Sequence, residues 1–190
     1  MLNLPNILTL SRIMIIPIVV VTFFFDSHAM RWTACALFTI AGITDFFDGY
    51  LARRANQVSS LGRFLDPIAD KLLVASVLLL IVAFGRVGPW HYLPALVILQ
   101  REILVSGLRE FLAELRVSVP VTKLAKAKTT VQMIALGFLI VGDASPEWIP
   151  AELIGKFGIW IAAVITLITG YDYLKSGLRH MAGNPTETGS

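Results

Sequence analysis

The chain has 190 residues, of which 56% are hydrophobic and 15% are charged, with a formal net charge of +3. Because a soluble domain carries about 25% charged residues, this composition and a mean hydropathy of +0.73 exclude an ordinary water-soluble domain. They indicate an integral membrane protein. The length predicts one domain over residues 1–181, followed by a flexible polar tail over residues 182–190.

Six hydrophobic segments predict an all-α protein with six transmembrane helices. They cover residues 7–25, 32–51, 64–84, 93–112, 129–141 and 153–174. The fifth is short for a span of about 20 residues, and we expect it to extend back through Lys126 and Lys128, whose aliphatic stems tolerate an apolar surface. The first lacks a basic start and a small-residue cleavage site, so we expect a retained helix rather than a signal peptide.

The basic residues predict an orientation for these helices. Only Arg31, Arg86 and Lys156 fall at one set of helix ends, which leaves thirteen of the sixteen lysines and arginines at or near the other set. Because basic residues are retained on the cytoplasmic side, we expect both termini and residues 45–70 at the cytoplasmic face.

The first helix opens with polar residues at helical spacing: Asn6, Thr9 and Arg12. An arginine in an apolar helix requires an anion or a partner, so Arg12 is predicted to face a polar cavity. For Asn6, simple capping of the helix and a contact with a ligand are equally open interpretations.

Four aspartates interrupt the second and third hydrophobic segments. Asp45 and Asp48 are three residues apart and Asp66 and Asp70 are four apart, so each pair shares one helix face. An unpaired acid at bilayer depth costs roughly 3 kcal/mol, which favours a functional reason for retaining four. Paired carboxylates suit hard cations such as Mg²⁺ or Mn²⁺, and two such cations can clamp a phosphoryl group.

Each of these acids also has a structural interpretation. Asp66 precedes Pro67, and an aspartate before a helix-opening proline is an ordinary N-cap. Asp70 precedes Lys71 and can form an ion pair with it. Metal binding is favoured because all four acids lie in one short stretch.

Small residues accompany the first acidic pair. Gly49 and Ala52 follow Asp45 and Asp48 by four residues each, so they lie on the acidic face and leave room for a ligand there. Helix packing through small residues is the alternative. Arg53 lies one turn beyond Gly49 and offers several donors to a phosphate.

Two further basic segments predict a second anion site. Arg101 and Arg109 lean to one side of the fourth helix, and Lys126 and Lys128 open the fifth. Membrane topology alone does not explain Arg101, which lies well inside its segment. Arg53 and the cations already account for the binding of one phosphate-bearing substrate. The additional basic residues therefore indicate a second substrate, and they indicate that it also carries a phosphate.

The acidic stretch also resembles a known family. The pattern D-x-x-D-G-x-x-A-R, eight residues, then G-x-x-x-D-x-x-x-D is similar to the signature of the CDP-alcohol phosphotransferases, membrane enzymes that displace CMP from a CDP-linked lipid or alcohol. Its fixed positions are filled by Asp45, Asp48, Gly49, Ala52, Arg53, Gly62, Asp66 and Asp70. The resemblance implies a bundle of that family's type, two divalent cations (Mg²⁺ or Mn²⁺) held by the four aspartates, and Asp70 as the general base.

Three further runs carry the resemblance from residue 4 to residue 132: L-P-N-x-L-T-x-x-R at 4–12, R-E-I-x-V-S-G-L-R-E at 101–110 and K-x-K-T-x-x-Q at 126–132. They are similar to bacterial members whose acceptor is sn-glycerol 3-phosphate. The resemblance implies transfer of a phosphatidyl group from CDP-diacylglycerol to that acceptor at the bacterial inner membrane, with release of CMP, in a homodimer that binds no nucleic acid. The implied contacts with the CDP-lipid are Asn6, Thr9, Gly49, Ala52, Arg53 and Gly62. The implied contacts with the acceptor phosphate are Arg101, Arg109, Lys126 and Lys128.

Two alternatives remain. The same chemistry can serve another acceptor, namely inositol phosphate, serine or phosphatidylglycerol. A cation transporter also uses intramembrane carboxylates, but such proteins often contain inverted repeats and hold their ions near the bilayer midplane. The absence of an evident repeat and the clustering of the acids at one face disfavour it.

Overall fold

A computed structural model describes residues 4–55, 60–114 and 123–182. These residues form six long helices with short connections and no strand. The helices are α1 (Leu4–Phe23), α2 (His28–Ala55), α3 (Ser60–Ala83), α4 (Tyr92–Glu114), α5 (Lys123–Val141) and α6 (Ala151–Ala182), with a 3₁₀ turn at Gly142–Ala144. The prediction of an all-α protein with six helices is confirmed.

Helix boundaries decide several of the open interpretations. α5 begins at Lys123, so its predicted backward extension is confirmed. α3 begins at Ser60 and contains Pro67 within it, so the interpretation of Asp66 as an N-cap is wrong. α1 begins at Leu4, which places Asn6 inside the helix rather than at its cap. Of the predicted tail, Ala182 ends α6 and residues 183–190 lie outside the described residues.

The six helices close into a ring in the spatial order α1, α2, α5, α6, α4, α3 and back to α1. Their inner faces share one apolar core, formed mainly by residues from α1 to α6 that are almost fully buried: Val19, Phe23, Phe38, Leu73, Leu78, Ile81, Ile98, Leu136, Leu139, Ile140 and Ile159. Large apolar side chains are also exposed around the outside of the bundle, among them Met14, Leu79, Ile103, Phe157 and Leu167. An apolar exterior around an apolar core is typical of helices in lipid.

Within the described residues, three helical segments are long and apolar enough to cross a membrane by length and composition alone. The qualifying segments are Asn6–Phe23, Leu124–Ala144 and Ala151–Leu178. The other three helices, α2, α3 and α4, carry the four aspartates, Arg53, Arg101 and Arg109. The protein is therefore an integral membrane protein.

Ion pairs and hydrogen bonds close one end of the bundle, where the three described connections meet. Arg31 pairs with Asp26 at 2.8 Å and with Asp143, which brings the α1–α2 and α5–α6 connections together. Arg86, from the α3–α4 connection, donates to the carbonyl of Ile140 at 2.7 Å. The opposite end therefore holds the C-terminal half of α2 and the N-terminal half of α3, where the four aspartates lie.

Candidate active site

Two adjacent helices carry the acidic motif. Asp45 and Asp48 lie in the C-terminal half of α2, Asp66 and Asp70 lie in the N-terminal half of α3, and the two helices contact each other. The side chains of most motif residues lie outside the described part of the structure: Asp45, Asp48, Gly49, Ala52, Arg53 and Asp66. α2 and α3 are in contact, and the proximity of the two acidic pairs stays a prediction.

Asp70 opens onto a cavity of about 360 Å³ that is bounded by α3, α4, α5 and α6. Three of the four residues predicted to bind an acceptor phosphate line the same cavity: Arg101, Arg109 and Lys128. Residues more than fifty positions apart along the chain are thereby brought into one polar space. The predicted base and the predicted anion site belong to a single cavity.

Lys126 is placed differently from Lys128. Lys128 is 5% exposed and faces the cavity, whereas Lys126 is exposed and is not among the residues that line it. Residues two positions apart on a helix do not share a face. The sequence interpretation grouped the two lysines by their proximity along the chain, and the helix separates them.

Glu102 is the central acidic partner of the cavity's cations, a role that sequence reasoning missed. Lys128 Nζ donates to Glu102 Oε1, and Arg101 Nη1 lies 3.6 Å from the same oxygen. The side chains of Lys128, Arg101 and Glu102 are only 6%, 11% and 17% exposed, so solvent screens these charges weakly. The available signal was an acid directly beside Arg101 within an apolar segment.

Sequence reasoning also missed the contribution of α6, which it described only as a hydrophobic segment. Tyr173 lines the cavity, and Thr169 accepts a hydrogen bond from Arg101 at 3.1 Å. Neither residue belongs to a charged pattern, so only the packing of α4 against α6 identifies them.

The polar residues that begin α1 are turned into the bundle. Asn6, Thr9 and Arg12 are 1%, 0% and 1% exposed, and Gly62 at the start of α3 is buried as well. The prediction that Arg12 faces inward agrees with this burial. Because α1 packs between α2 and α3, these residues lie on the helix that neighbours both acidic pairs.

The fold is a helical membrane bundle in which two adjacent helices carry carboxylates and a cavity is lined by basic residues. This combination defines a class of enzymes that act on phosphate-linked lipids. The chain belongs to the CDP-alcohol phosphatidyltransferase family, which its residues 2–168 match. It is 51% identical to a protein of Rickettsia bellii named CDP-diacylglycerol–glycerol-3-phosphate 3-phosphatidyltransferase, over 92% of this chain and 94% of that protein.

Two more distant relatives carry the same name. The protein of Cereibacter sphaeroides is 40% identical over 94% of this chain and 97% of its own length. The protein of Shigella flexneri is 41% identical over 92% of this chain and 94% of its own length. The match therefore extends over nearly the whole of each protein.

Membership of this family implies divalent cations, and the residues present fit them. Two carboxylates on each of two packed helices form an all-oxygen donor set, which Mg²⁺ and Mn²⁺ prefer. Among the described residues no group of three or more metal-binding side chains occurs, and three of the four aspartate side chains lie outside those residues. The fit thus rests on the donor chemistry and on the contact between α2 and α3.

Proposed function

We propose that this protein transfers the phosphatidyl group of CDP-diacylglycerol to sn-glycerol 3-phosphate, with release of CMP. The observation that carries the proposal is the single cavity that Asp70 shares with Arg101, Arg109 and Lys128. A general base and an anion site in one cavity suit an acceptor that has both a hydroxyl and a phosphate. The names of the relatives, which specify this reaction for those proteins, point in the same direction.

The cationic side chains account for recognition of the acceptor. Arg101 and Arg109 offer planar sets of donors to phosphate oxygens, and Lys128 adds a third positive charge. When they hold the phosphate, the free hydroxyl of the acceptor extends toward α3. A neutral hydroxyl compound without phosphate leaves these charges without a counterpart in the substrate, which disfavours serine as the acceptor.

Asp70 is the proposed general base. Its carboxylate takes the proton of the acceptor hydroxyl, whose oxygen then forms a bond to the phosphorus that bears the diacylglycerol. The bond between that phosphorus and the CMP oxygen breaks, and CMP leaves with the electron pair. A base must reach the proton within hydrogen-bond distance or through one water, which the shared cavity permits.

The remaining motif residues are assigned to the nucleotide and the lipid diphosphate. We propose that Asn6, Thr9, Gly49, Ala52, Arg53 and Gly62 bind the CDP-lipid. Asp45, Asp48, Asp66 and Asp70 would hold two divalent cations, Mg²⁺ or Mn²⁺. Such cations would neutralise charge on the diphosphate and on the departing CMP.

We propose that the cavity faces the cytoplasm of a bacterial cell and that both termini lie on that side. The bundle end opposite the cavity holds Arg31, Arg86 and Lys156, each of which pairs with a carboxylate or a carbonyl oxygen. Labelling in intact cells of single cysteines, introduced at residue 27 or residue 118 of a Cys35→Ser variant, tests the orientation. Only residue 27 is expected to react with an impermeant reagent.

A homodimer is proposed from the family resemblance, and cross-linking in native membranes tests it.

The reaction itself is tested with the purified protein in detergent, supplied with Mg²⁺ and CDP-diacylglycerol. We expect rapid release of CMP with sn-glycerol 3-phosphate and little with inositol phosphate, serine or phosphatidylglycerol. A stronger response to one of those three would assign a different acceptor. Cation flux in proteoliposomes that lack any CDP-lipid would instead favour the transporter interpretation.

A further inference from the structure

We propose that the C-terminal part of α6 positions Arg101 for the acceptor, through Thr169, Gly170 and Tyr173; this inference rests on the function proposed above. All three residues lie beyond residues 2–168, the part that matches the family. The sequence described this part of the chain only as a hydrophobic segment. The contacts of these three residues with Arg101 on α4 indicate that they hold its side chain in position.

Thr169 orients one side of the Arg101 guanidinium. Arg101 Nη2 donates to Thr169 Oγ1 at 3.1 Å, and Thr169 is 1% exposed. The threonine hydroxyl in turn donates to the carbonyl of Ile165 at 2.9 Å, a common arrangement for threonine in helices. Because its proton is engaged within α6, the hydroxyl presents a lone pair to Arg101.

Gly170 provides the space through which the Arg101 side chain passes along α6. A Cβ atom at residue 170 would lie 3.0 Å from Arg101 Cγ and 3.6 Å from Arg101 Nε. Cγ is near the base of the side chain, so relief of that contact requires movement of the whole arginine rather than of its tip. The absence of a side chain at this position is therefore a condition for the observed path of Arg101.

Tyr173 and Glu102 complete the enclosure of the guanidinium. The Tyr173 ring centroid is 5.7 Å from Arg101 Cζ, within the distance of a cation–π contact. Glu102 lies on the Nη1 side at 3.6 Å, opposite the hydrogen bond to Thr169. The guanidinium is thus oriented by two helices at once, and the α6 residues act on the acceptor through Arg101.

The test uses two variants of α6 and compares the two substrates. Thr169→Val removes the hydroxyl at nearly constant shape, and Gly170→Ala crowds Arg101. We expect each to raise the KM for sn-glycerol 3-phosphate about tenfold, the effect of one lost hydrogen bond to a charged group. The KM for CDP-diacylglycerol is expected to stay at the wild-type value.

Matched controls separate positioning from general stability. Thr169→Ser keeps the hydroxyl and is expected to behave like the wild type. Gly158→Ala places a Cβ 2.7 Å from Ala135 Cβ, so it crowds the α5–α6 contact on the same helix without touching Arg101. It is expected to lower the melting temperature and leave the ratio of the two KM values unchanged. In an Arg101→Ala background, Thr169→Val is expected to have no further effect on the acceptor KM.

The possible outcomes are distinguishable. Equal changes in both KM values for Thr169→Val and Gly170→Ala would overturn the inference, and so would the same KM pattern in Gly158→Ala. Full additivity of Thr169→Val with Arg101→Ala would overturn it as well, because the threonine would then act independently of the arginine. A wild-type protein that releases no CMP with sn-glycerol 3-phosphate would contradict the proposed function itself.

Discussion

Lys128 on α5 donates a hydrogen bond to the carboxylate of Glu102 on α4, inside the cavity that contains Asp70. The lysine is 5% exposed, and this carboxylate is the counter-charge that it contacts. Glu102 thus lies between the two cations and contacts both Lys128 and Arg101.

The Glu102–Lys128 pair is expected to behave as a buried ion pair. Glu102→Ala leaves a buried ammonium without its carboxylate, and we expect a loss of about 3 kcal/mol of unfolding free energy. The double variant Glu102→Ala with Lys128→Met removes both charges and is expected to regain most of that stability. Thermal unfolding in detergent measures both. A double variant as unstable as the single one would contradict the interpretation.

Replacement of Asp70 by Asn removes the proposed base at nearly constant shape. We expect CMP release to fall roughly 100- to 10,000-fold, the usual contribution of a general base, with saturating Mg²⁺ present. Asp143→Asn, at the closed end of the bundle, serves as the control and is expected to keep its activity. Near-normal turnover in Asp70→Asn would refute the assigned role.

The two lysines that open α5 are expected to differ in their effect on the acceptor. Lys128→Ala removes a cation that lines the cavity and is expected to raise the KM for sn-glycerol 3-phosphate at least tenfold, as for a charge-assisted contact of about 1.5 kcal/mol or more. Lys126→Ala removes an exposed charge outside the cavity and is expected to leave that constant unchanged. Steady-state kinetics with varied acceptor decides between them. A similar increase in the acceptor KM of both variants would indicate that Lys126 also binds the acceptor.

Gly85 and Gly142 both have a left-handed backbone conformation. Substituting each by alanine compares the cost of backbone strain alone with the cost of strain plus a steric clash. Gly85 has φ of 64° and open space around its Cβ position, whereas Gly142 has φ of 53° and a Cβ position 3.2 Å from Arg31 Nη1. Gly85→Ala is expected to cost about 1 kcal/mol from the backbone alone. Gly142→Ala is expected to cost more, because Arg31 is held by Asp26 and Asp143. Melting temperatures in detergent compare the two variants. A larger decrease for Gly85→Ala than for Gly142→Ala would contradict this expectation.

The closed end of the bundle is expected to respond to acid. The hydrogen bond from Arg31, together with its charge, lowers the pKa of Asp26 below its usual 3.8. A carboxyl whose folded-state pKa is lowered contributes stability above its unfolded-state pKa, and that contribution is lost as the pH falls through the folded-state value. Asp26→Asn is therefore expected to show a smaller loss of stability than the wild type as the pH is lowered below about 4. If the melting temperatures of the wild type and of Asp26→Asn fell equally as the pH was lowered, the result would argue against a stabilising Asp26–Arg31 pair.

Much of the fold follows from local sequence properties. Six hydrophobic segments predicted six helices, because each segment satisfies its own backbone hydrogen bonds and needs only a long apolar stretch. The boundaries were less predictable, since α2, α3 and α6 extend into polar residues at the cavity end. The extension of α3 back to Ser60 was hidden by Pro67, which resembles a helix start but lies within the helix.

The sequence by itself determined the family and the four aspartates, because their spacing is fixed along single helices and the cost of acids in lipid requires a reason for them. Only the tertiary structure decided which cations join Asp70 in the cavity. The selection of Lys128 over Lys126, the contact of Lys128 with Glu102, and the contact of Arg101 with Thr169 all depend on which faces of α4, α5 and α6 meet. Helix spacing along the chain specifies a face, but the packing of neighbouring helices specifies what that face contacts.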